Sequence, residues 1–203
     1  MSREVFEIIL GMDLKNIETQ LALQCAPLIT GLKISNLLIV PADNEKIVWE
    51  ILRRSGICCY CMLRTGEKST FLLFRKNQLE AFLAEPEIRE FLRKEGYEKF
   101  GLGEILRRFQ IRYQTYMAGR KQFPHEMGLL LGYPLEDVAG FMENNGKNFL
   151  YSGYWKVYEN QAEKMFLFGK FERAKETLIQ LISEGIRMRD IIERYSEKQL
   201  AAM

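Results

Sequence analysis

The chain is poor in the residues that most catalytic and metal signatures require. Its 203 residues include one histidine, His125, and four cysteines. The HExxH zinc pattern needs a second histidine at position 129, where this chain has Leu129. No Gly-x-Ser-x-Gly motif supplies a serine nucleophile either. The sequence therefore carries no strong catalytic signature.

Charge of one sign and long apolar runs are also scarce. The 29 basic and 27 acidic side chains leave a net charge of +2, so no global field attracts nucleic acid or a membrane surface. No stretch approaches the roughly 18 apolar residues that span a bilayer, and the start of the chain does not resemble a signal peptide. Three cysteines cluster at 58–61, unlike the dispersed cysteines of secreted proteins. We therefore expect a cytoplasmic protein with reduced thiols and no membrane partner.

The first half of the chain alternates helical and strand patterns. These patterns predict a helix capped by Asp13 and ending near Pro27 or Gly31, a strand at 35–40, a helix capped by Asp43, and strands at 57–63 and 70–74. A hairpin loop at 64–68 suits the last two strands, and the helix before them suits a right-handed parallel crossover between the first two. The expected result is a small three-stranded mixed sheet.

The second half is mainly helical. The predicted helices lie at 77–84, 86–96, 103–118, 161–183 and 186–195, with two short helices between Pro124 and Gly132 and between Pro134 and Gly146. We therefore predict an α+β protein dominated by helices, in which a small mixed sheet in the N-terminal half packs against a helical C-terminal half. Residues 1–203 suit a single domain, or two closely packed halves, 1–118 and 119–203.

The cysteines and the histidine include the ligand types of a zinc site. Cys58, Cys59 and Cys61 could be joined by Cys25 or His125 as the fourth ligand. On a strand, however, Cys59 and Cys61 face one way and Cys58 faces the other, so the three thiols do not converge on one ion. We therefore predict no metal site and treat the cysteines as small apolar residues.

His125 and Glu126 open the first of the two short helices. A histidine and a carboxylate beside the free N–H groups of a helix start can do acid–base chemistry or bind an anion. In the alternative interpretation, His125 packs or caps the helix while Glu126 complements the helix dipole. The sequence leaves both open.

The same two helices also fit a helix-turn-helix pattern. A locally basic segment precedes them, with Arg107, Arg108, Arg112, Arg120 and Lys121 as its cations. The second helix carries Glu136, Asp137 and Glu143 with no Lys or Arg, so it would bring about three negative charges to the major groove. We therefore disfavour nucleic acid as a partner, and the alternative is an αα-corner with a solvated acidic face.

An amide and aromatic segment follows. Asn144, Asn145 and Gly146 precede a run that contains Tyr151, Tyr154, Trp155, Lys156 and Tyr158. Rings, a lysine and amides suit a pocket for a planar or anionic ligand, because the rings stack and the polar groups fix the orientation. The competing explanation is that Asn and Gly end a helix while the aromatic side chains fill a core.

These residues resemble the signature of a known family. Residues 123–128, 131–138, 140–141, 144–146 and 153–158, with 25–27, 31–33 and 36–37, are similar to a bacterial family catalogued as domain of unknown function 3793. The resemblance implies no reaction. It implies that the signature forms one unit, with the following family-type positions: Cys25, Asn36, His125, Glu126, Trp155 and Lys156. Family members often have a cysteine where this chain has Ala174, so a shared thiol or metal role does not extend to it.

Three functional hypotheses follow. The first is a non-catalytic cytoplasmic binding or interaction protein that takes a small anionic or planar ligand, with no particular cofactor indicated. Its candidate binding residues are Asn36, His125, Glu126, Asn144, Asn145, Tyr154, Trp155, Lys156 and Tyr158. The second is an enzyme that uses His125 and Glu126 on a small anionic substrate. The third is a helix-turn-helix-like nucleic-acid binder.

Overall fold

The structure is a computed structural model that describes residues 2–120 and 122–201. Helices make up 57% of the chain and strands 13%, which confirms the α+β class and the dominance of helices. The three-stranded sheet in the N-terminal half is also confirmed. Across the part of the chain that the structure describes, no helix combines the length and the apolar character needed to cross a bilayer.

The chain divides into two compact units. The first unit consists of Met1–Arg75 with Gly169–Met203, and the second unit is Lys76–Phe168. A single domain with halves at 1–118 and 119–203 stays a prediction.

The first unit contains the larger sheet. Its elements are α1 (Arg3–Gly11), α2 (Ile17–Ile29), β1 (Ser35–Pro41), α3 (Glu45–Leu52), β2 (Cys58–Arg64), β3 (Lys68–Phe74) and α10 (Met188–Ala201). A short 3₁₀ turn, Ala42–Asn44, connects β1 to α3. The long helix α9 (Gln161–Ser183) begins in the second unit and ends in the first.

The second unit is built from short helices and a small hairpin. Its elements are α4 (Lys76–Leu83), α5 (Pro86–Lys94), α6 (Leu102–Met117), α7 (Met127–Leu130), α8 (Leu135–Glu143), β4 (Tyr151–Ser152) and β5 (Lys156–Val157), followed by the start of α9. Strands β4 and β5 pair antiparallel within the predicted aromatic segment.

The sheet of the first unit is antiparallel, so the predicted mixed sheet is wrong. Its strand order is β1-β3-β2, and both outer strands run antiparallel to β3. The predicted hairpin is present, with the Thr65 N–H donating to the Lys68 carbonyl at 2.8 Å. β3 is buried from Ser69 to Phe74. A strand that is buried on both faces is most stable in the centre of a sheet, where it has a partner strand along each edge. β1 therefore pairs with β3 and does not contact β2 through a parallel ladder.

Two predicted helix caps lie at neighbouring residues instead. Asn16, not Asp13, caps α2, because its Oδ1 accepts the Glu18 N–H at 2.8 Å. Asp13 instead accepts the Lys15 N–H at 2.8 Å in the loop after α1. The 3₁₀ turn similarly moves the N-cap position of α3 from Asp43 to Asn44, whose side chain makes no capping hydrogen bond. Each segment is rich in Asp and Asn, and several of these residues are chemically able to cap.

The core of the first unit forms around α2. Leu21, Ala22, Cys25 and Leu28 are fully buried there, and the core also includes side chains of β1, β3, α9 and α10. Cys59 and Cys61 pack against this core, as the alternation of a strand predicts. The four cysteines are free thiols, and burial raises the pKa of Cys25 to about 12. A thiol in that environment is a poor nucleophile at neutral pH, so Cys25 acts as an apolar core residue.

Candidate functional site

A buried carboxylate organises the second unit. Asp137 lies in the first turn of α8, and only 2% of its surface is exposed. Its Oδ2 accepts the Trp155 indole N–H at 2.7 Å. Its Oδ1 accepts the backbone N–H of Tyr158 at 2.7 Å and that of Glu159 at 3.3 Å. Asp137 therefore fixes the β4–β5 hairpin and the segment that follows it, through bonds that a charged acceptor makes stronger than neutral ones.

Trp155 is a core residue of this unit. Its side chain is 9% exposed and stacks on Tyr133, with ring centroids 4.7 Å apart. Phe168 contacts it edge-on at 4.5 Å and also lies 5.5 Å from the ring of Tyr154. These contacts favour the packing interpretation of Trp155 over a direct role in stacking against a ligand.

Three glycines allow close packing around the hairpin. A Cβ on Gly140 would lie 2.6 Å from the Tyr158 ring, and one on Gly128 would lie 2.6 Å from Val138. A Cβ on Gly153 would lie 2.4 Å from the Phe168 ring. Real Cβ atoms do not approach other atoms this closely, so the three positions need glycine for space.

The two amides end α8. The Asn144 amide donates to the Gly140 carbonyl at 2.9 Å, and its Oδ1 accepts from Asn148. Asn145 and Gly146 both have positive φ, and the Gly146 N–H donates to the Phe141 carbonyl at 2.8 Å. This is the left-handed backbone that commonly terminates a helix. Asn144 and Asn145 therefore have a capping role in the structure, and contact with a ligand at either stays a prediction.

Lys156 completes this helix end. Its Nζ donates to the Gly146 carbonyl at 2.6 Å and lies 5.5 Å from the centre of the Phe141 ring and 4.9 Å from that of Phe149. Cations over aromatic faces at these distances are stabilised electrostatically. A lysine at the C-terminal end of a helix also complements the negative end of the helix dipole.

His125 contacts the same aromatic side chain as Lys156. It is half-buried between Phe123, at 5.5 Å, and Phe141, at 5.4 Å between ring centroids. Neither ring nitrogen has a hydrogen-bond partner among the residues the structure describes. The contacts therefore form a continuous series, which we call the aromatic–cation row: Phe123, His125, Phe141, Lys156 and Phe149.

Glu126 has different surroundings from its neighbour His125. It is fully buried, and the Tyr97 hydroxyl donates to its Oε1 at 2.9 Å. The Arg112 guanidinium contacts both its oxygens, with Nε 2.6 Å from Oε1 and Nη2 3.3 Å from Oε2. The same guanidinium also binds Glu95, through the backbone carbonyl at 2.9 Å and the carboxylate at 3.1 Å.

Burial dominates the titration of this cluster. It raises the pKa of Glu126, while Arg112 and the Tyr97 hydroxyl act in the opposite direction. Burial, together with the nearby Glu126 carboxylate, also raises the pKa of Tyr97. The carboxylate oxygens of Glu126 bind Arg112 and Tyr97, so the predicted acid–base pair with His125 is not formed here.

The residues of this site lie within a region that matches a family model. The model of the family described as protein of unknown function DUF3793 matches residues 21–192. The chain belongs to the DUF3793 family. No curated protein and no solved structure shows significant similarity to it.

The expectation that the whole signature forms one unit is wrong, because Cys25 and Asn36 lie in the first unit. The C-terminal part of the DUF3793 signature lies in the second unit. It supplies the Asp137 bonds, the glycine contacts and most of the aromatic–cation row. Tyr158 packs on Gly140, and its buried hydroxyl has no hydrogen-bond partner among the described residues. Loss of hydration, followed by the charge of Asp137, raises the pKa of this tyrosine.

Asn36 belongs to the first unit, whereas the other candidate residues belong to the second. Its amide donates to the Gln24 carbonyl at 2.5 Å and to the Leu37 carbonyl at 3.2 Å. It therefore links β1 to α2 beside Cys25, whose thiol lies 3.6 Å from the Leu37 carbonyl. This is a structural role for Asn36, and binding through it stays a prediction.

The helix-turn-helix pattern is only partly present. α7 has four residues, and Pro124 precedes it instead of lying in its first turn. The predicted solvated acidic face of α8 is wrong, because Asp137 is buried and Glu136 lies 3.2 Å from the buried Lys164.

Several arginines of the basic segment also contact other protein groups. Arg112 binds Glu126, and the guanidinium of Arg108 lies 5.5 Å from the centre of the Tyr97 ring. Arg107 lies 3.7 Å from Glu104, and Lys121 lies outside the described residues. Within residues 2–120 and 122–201, no group of three or more His, Cys, Asp and Glu side chains is placed to hold a metal ion.

The organising role of Asp137 and the aromatic partners Phe141 and Phe149 are not evident from the sequence. With Glu136 and Glu143 nearby, Asp137 is expected on a polar helix face. Its position immediately before the apolar Val138 and three residues after Pro134 is the available signal that this acid faces inward. The partners of Lys156 had no such signal, because they come from different elements.

We predict that Asp137→Asn destabilises the protein. The substitution removes the charge that strengthens three hydrogen bonds and places an amide NH₂ group among N–H donors, so the free energy of unfolding should fall by about 2–3 kcal/mol. Urea denaturation measures this change. The control is Glu143→Gln on the exposed part of the same helix, for which about 0.5 kcal/mol or less is expected. Equal effects of the two substitutions would contradict the anchoring role of Asp137.

We also predict a pH-dependent effect of Arg112→Ala. Because the pKa of Glu126 is already raised on folding, its contribution to stability is present at low pH and is lost as pH rises through the folded-state pKa. Loss of Arg112 raises this pKa further, so the cost of the substitution should be small near pH 4.5 and reach roughly 2–4 kcal/mol near pH 7. Urea denaturation across this pH range measures it. The exposed Arg107→Ala is the control, and a cost for Arg112→Ala that is independent of pH would contradict the account.

Proposed function

We propose that this protein is a non-catalytic cytoplasmic binding module whose second unit takes a small planar or anionic ligand at the aromatic–cation row. The observation that carries the proposal is the row itself, an unbroken series of ring and cation contacts from Phe123 to Phe149. The two end residues are exposed, at 37% for Phe123 and 41% for Phe149. A ligand can therefore reach the row without unfolding the hairpin.

The row has the chemistry that such a ligand requires. Its rings offer stacking surfaces, and Lys156 donates one hydrogen bond to Gly146 and has two further N–H groups for an anion. The nitrogens of His125 have no protein partner among the described residues, so the imidazole can bind a ligand polar group. Asp137 holds the segment that carries Lys156 before any ligand arrives, which reduces the entropy lost on binding.

The enzyme alternative has less support from this geometry. A general base needs access to a reacting proton, whereas Glu126 is fully buried and bonded to Arg112 and Tyr97. His125 lies between two phenylalanines and has no orienting carboxylate among the residues that the structure describes. The four free thiols are in keeping with a reducing compartment, which is why we place the protein in the cytoplasm.

A thermal-shift and NMR screen tests the binding proposal. The probes are planar anions, such as nicotinate and mononucleotides, with nicotinamide as the neutral comparison. We expect at least one anion to raise the Tm in a saturable manner and to shift backbone amide signals near Phe141 and Lys156. His125→Ala and Phe149→Ala should each weaken this binding by about tenfold, since stacking and polar contacts are worth roughly 1–2 kcal/mol.

The control is Met117→Ala, which removes another exposed apolar side chain of the second unit, outside the row. This variant should bind as the parent protein does. Failure of every probe to shift the Tm, or equal binding by the parent and both row variants, would overturn the proposal.

A further inference from the structure

A cleft lies in the first unit, and none of the candidate binding residues predicted from the sequence is among its described lining residues. It has a volume of about 470 Å³, within the roughly 300–1,000 Å³ of typical small-molecule sites. One wall is the turn after α3, with Arg53, Arg54 and Ser55, and the other is α10. Ile51 and Ile192 supply its apolar lining.

Two hydrogen bonds join the walls of this cleft. The Arg189 guanidinium donates to the Glu50 carbonyl at 2.8 Å, and the Ser196 hydroxyl donates to the Ser55 carbonyl at 3.5 Å. Arg189 and Ser196 are seven residues apart on α10, a distance of about 10 Å along the helix axis. The walls are therefore tied at two separated points, and the cleft is formed before any ligand binds.

The three arginines of the cleft form no ion pair with any residue that the structure describes. Neither Arg53 nor Arg54 forms a hydrogen bond or an ion pair with another residue in the described part of the chain. The hydrogen bond from Arg189 is made by Nη2, and its acceptor is an uncharged carbonyl. Guanidinium groups in this state bind carboxylates and phosphates well, because their planar N–H groups match two oxygens at once.

Two carboxylates limit what the cleft can accept. Glu193 and Glu197 lie along the α10 wall, and neither forms an ion pair with the described arginines. Among the described lining residues, three arginines against two glutamates leave an excess of one positive charge. This charge favours a ligand with a single oxyanion group and a short apolar part over a polyanion such as nucleic acid.

We propose that this cleft binds a small molecule with one carboxylate or phosphate group, held by Arg53, Arg54 and Arg189. The apolar part of the ligand contacts Ile51 and Ile192. This site is independent of the aromatic–cation row, which belongs to the second unit.

The backbone of Arg54 provides a variant that separates binding from folding. Its φ is +63°, a conformation that glycine adopts without steric cost. Arg54→Gly therefore removes one guanidinium while it relieves the backbone, so the variant should keep or raise its Tm. The matched control is Arg194→Ala, which removes an exposed arginine of α10 that does not line the cleft.

The experiment is calorimetric titration with n-butyl phosphate and with butyrate at constant ionic strength, and n-butanol is the neutral comparison. We expect saturable binding of at least one anion, no binding of n-butanol, and a loss of about tenfold or more in Arg54→Gly. Arg194→Ala and the row variant His125→Ala should bind as the parent protein does. Tighter binding of butyl phosphate assigns the site to phosphate ligands, and tighter binding of butyrate assigns it to carboxylates.

Two results would overturn the proposal. One is the absence of saturable binding by either anion, and the other is unchanged affinity in a folded Arg54→Gly protein. Because the probes have no ring and the variant lies in the first unit, failure here leaves the result of the screen on the aromatic–cation row unaffected.

Discussion

The interaction on which the second unit depends is the contact between the Asp137 carboxylate and three N–H groups of the hairpin region. A carboxylate that is 98% removed from solvent is tolerated only when its oxygens are well bonded, and here one oxygen binds the Trp155 indole and the other binds two backbone amides. The short strands β4 and β5 have two residues each and would be marginal alone. Asp137 gives this hairpin a fixed position on α8, and packing at Gly140 and Gly153 does the same through shape.

The position of Lys156 follows from this anchoring. Because Trp155 is held by Asp137 and by its stacking on Tyr133, the next side chain, at the start of β5, points away from the core. Lys156 then reaches the C-terminal end of α8 and the rings of Phe141 and Phe149. The cation of the aromatic–cation row and a residue bonded to the structural anchor thus occupy adjacent positions, with Trp155 immediately before β5 and Lys156 at its start.

Glu126 and His125 are likewise adjacent residues with different surroundings. Glu126 is committed to a buried network with Tyr97 and Arg112, whereas His125 is half-buried among phenylalanines. The network has a stability cost because burial raises the pKa of the carboxyl group. Such networks are retained in some proteins because they specify one packing arrangement, and here the network fixes the turn that carries His125.

Much of this architecture could be predicted from the sequence, because periodicity and helix-ending residues are local signals. The bounds of α9 at Gln161–Ser183 and the β2–β3 hairpin are examples. The pairing of β1 with β3 could not be predicted in this way, because the helix between β1 and β2 is compatible with either arrangement of the strands. The hydrogen bond between Asp137 and Trp155 could not be predicted either, because the two residues are 18 positions apart and an acid on a helix is usually exposed.

The candidate site also combines features that the sequence predicts with features that it does not. The sequence assigns His125, Trp155 and Lys156 to one family signature, and the DUF3793 model matches the region that contains them, residues 21–192. It did not indicate that Trp155 faces the core while Lys156 faces the aromatic rings, because this depends on which face α8 covers. The arginines of the first-unit cleft carry no motif at all, and only the approach of α10 to the turn after α3 brings them together.

Hydrogen exchange of the two tryptophan indole N–H groups, followed by NMR, tests the central role of Asp137 most directly. Trp49 is the internal reference, because its side chain is 45% exposed and contacts Phe71 only through its ring. The account predicts that the Trp155 indole N–H, bonded to Asp137 at 2.7 Å, exchanges roughly 100-fold more slowly than that of Trp49. Equal exchange rates for the two indoles would contradict the account.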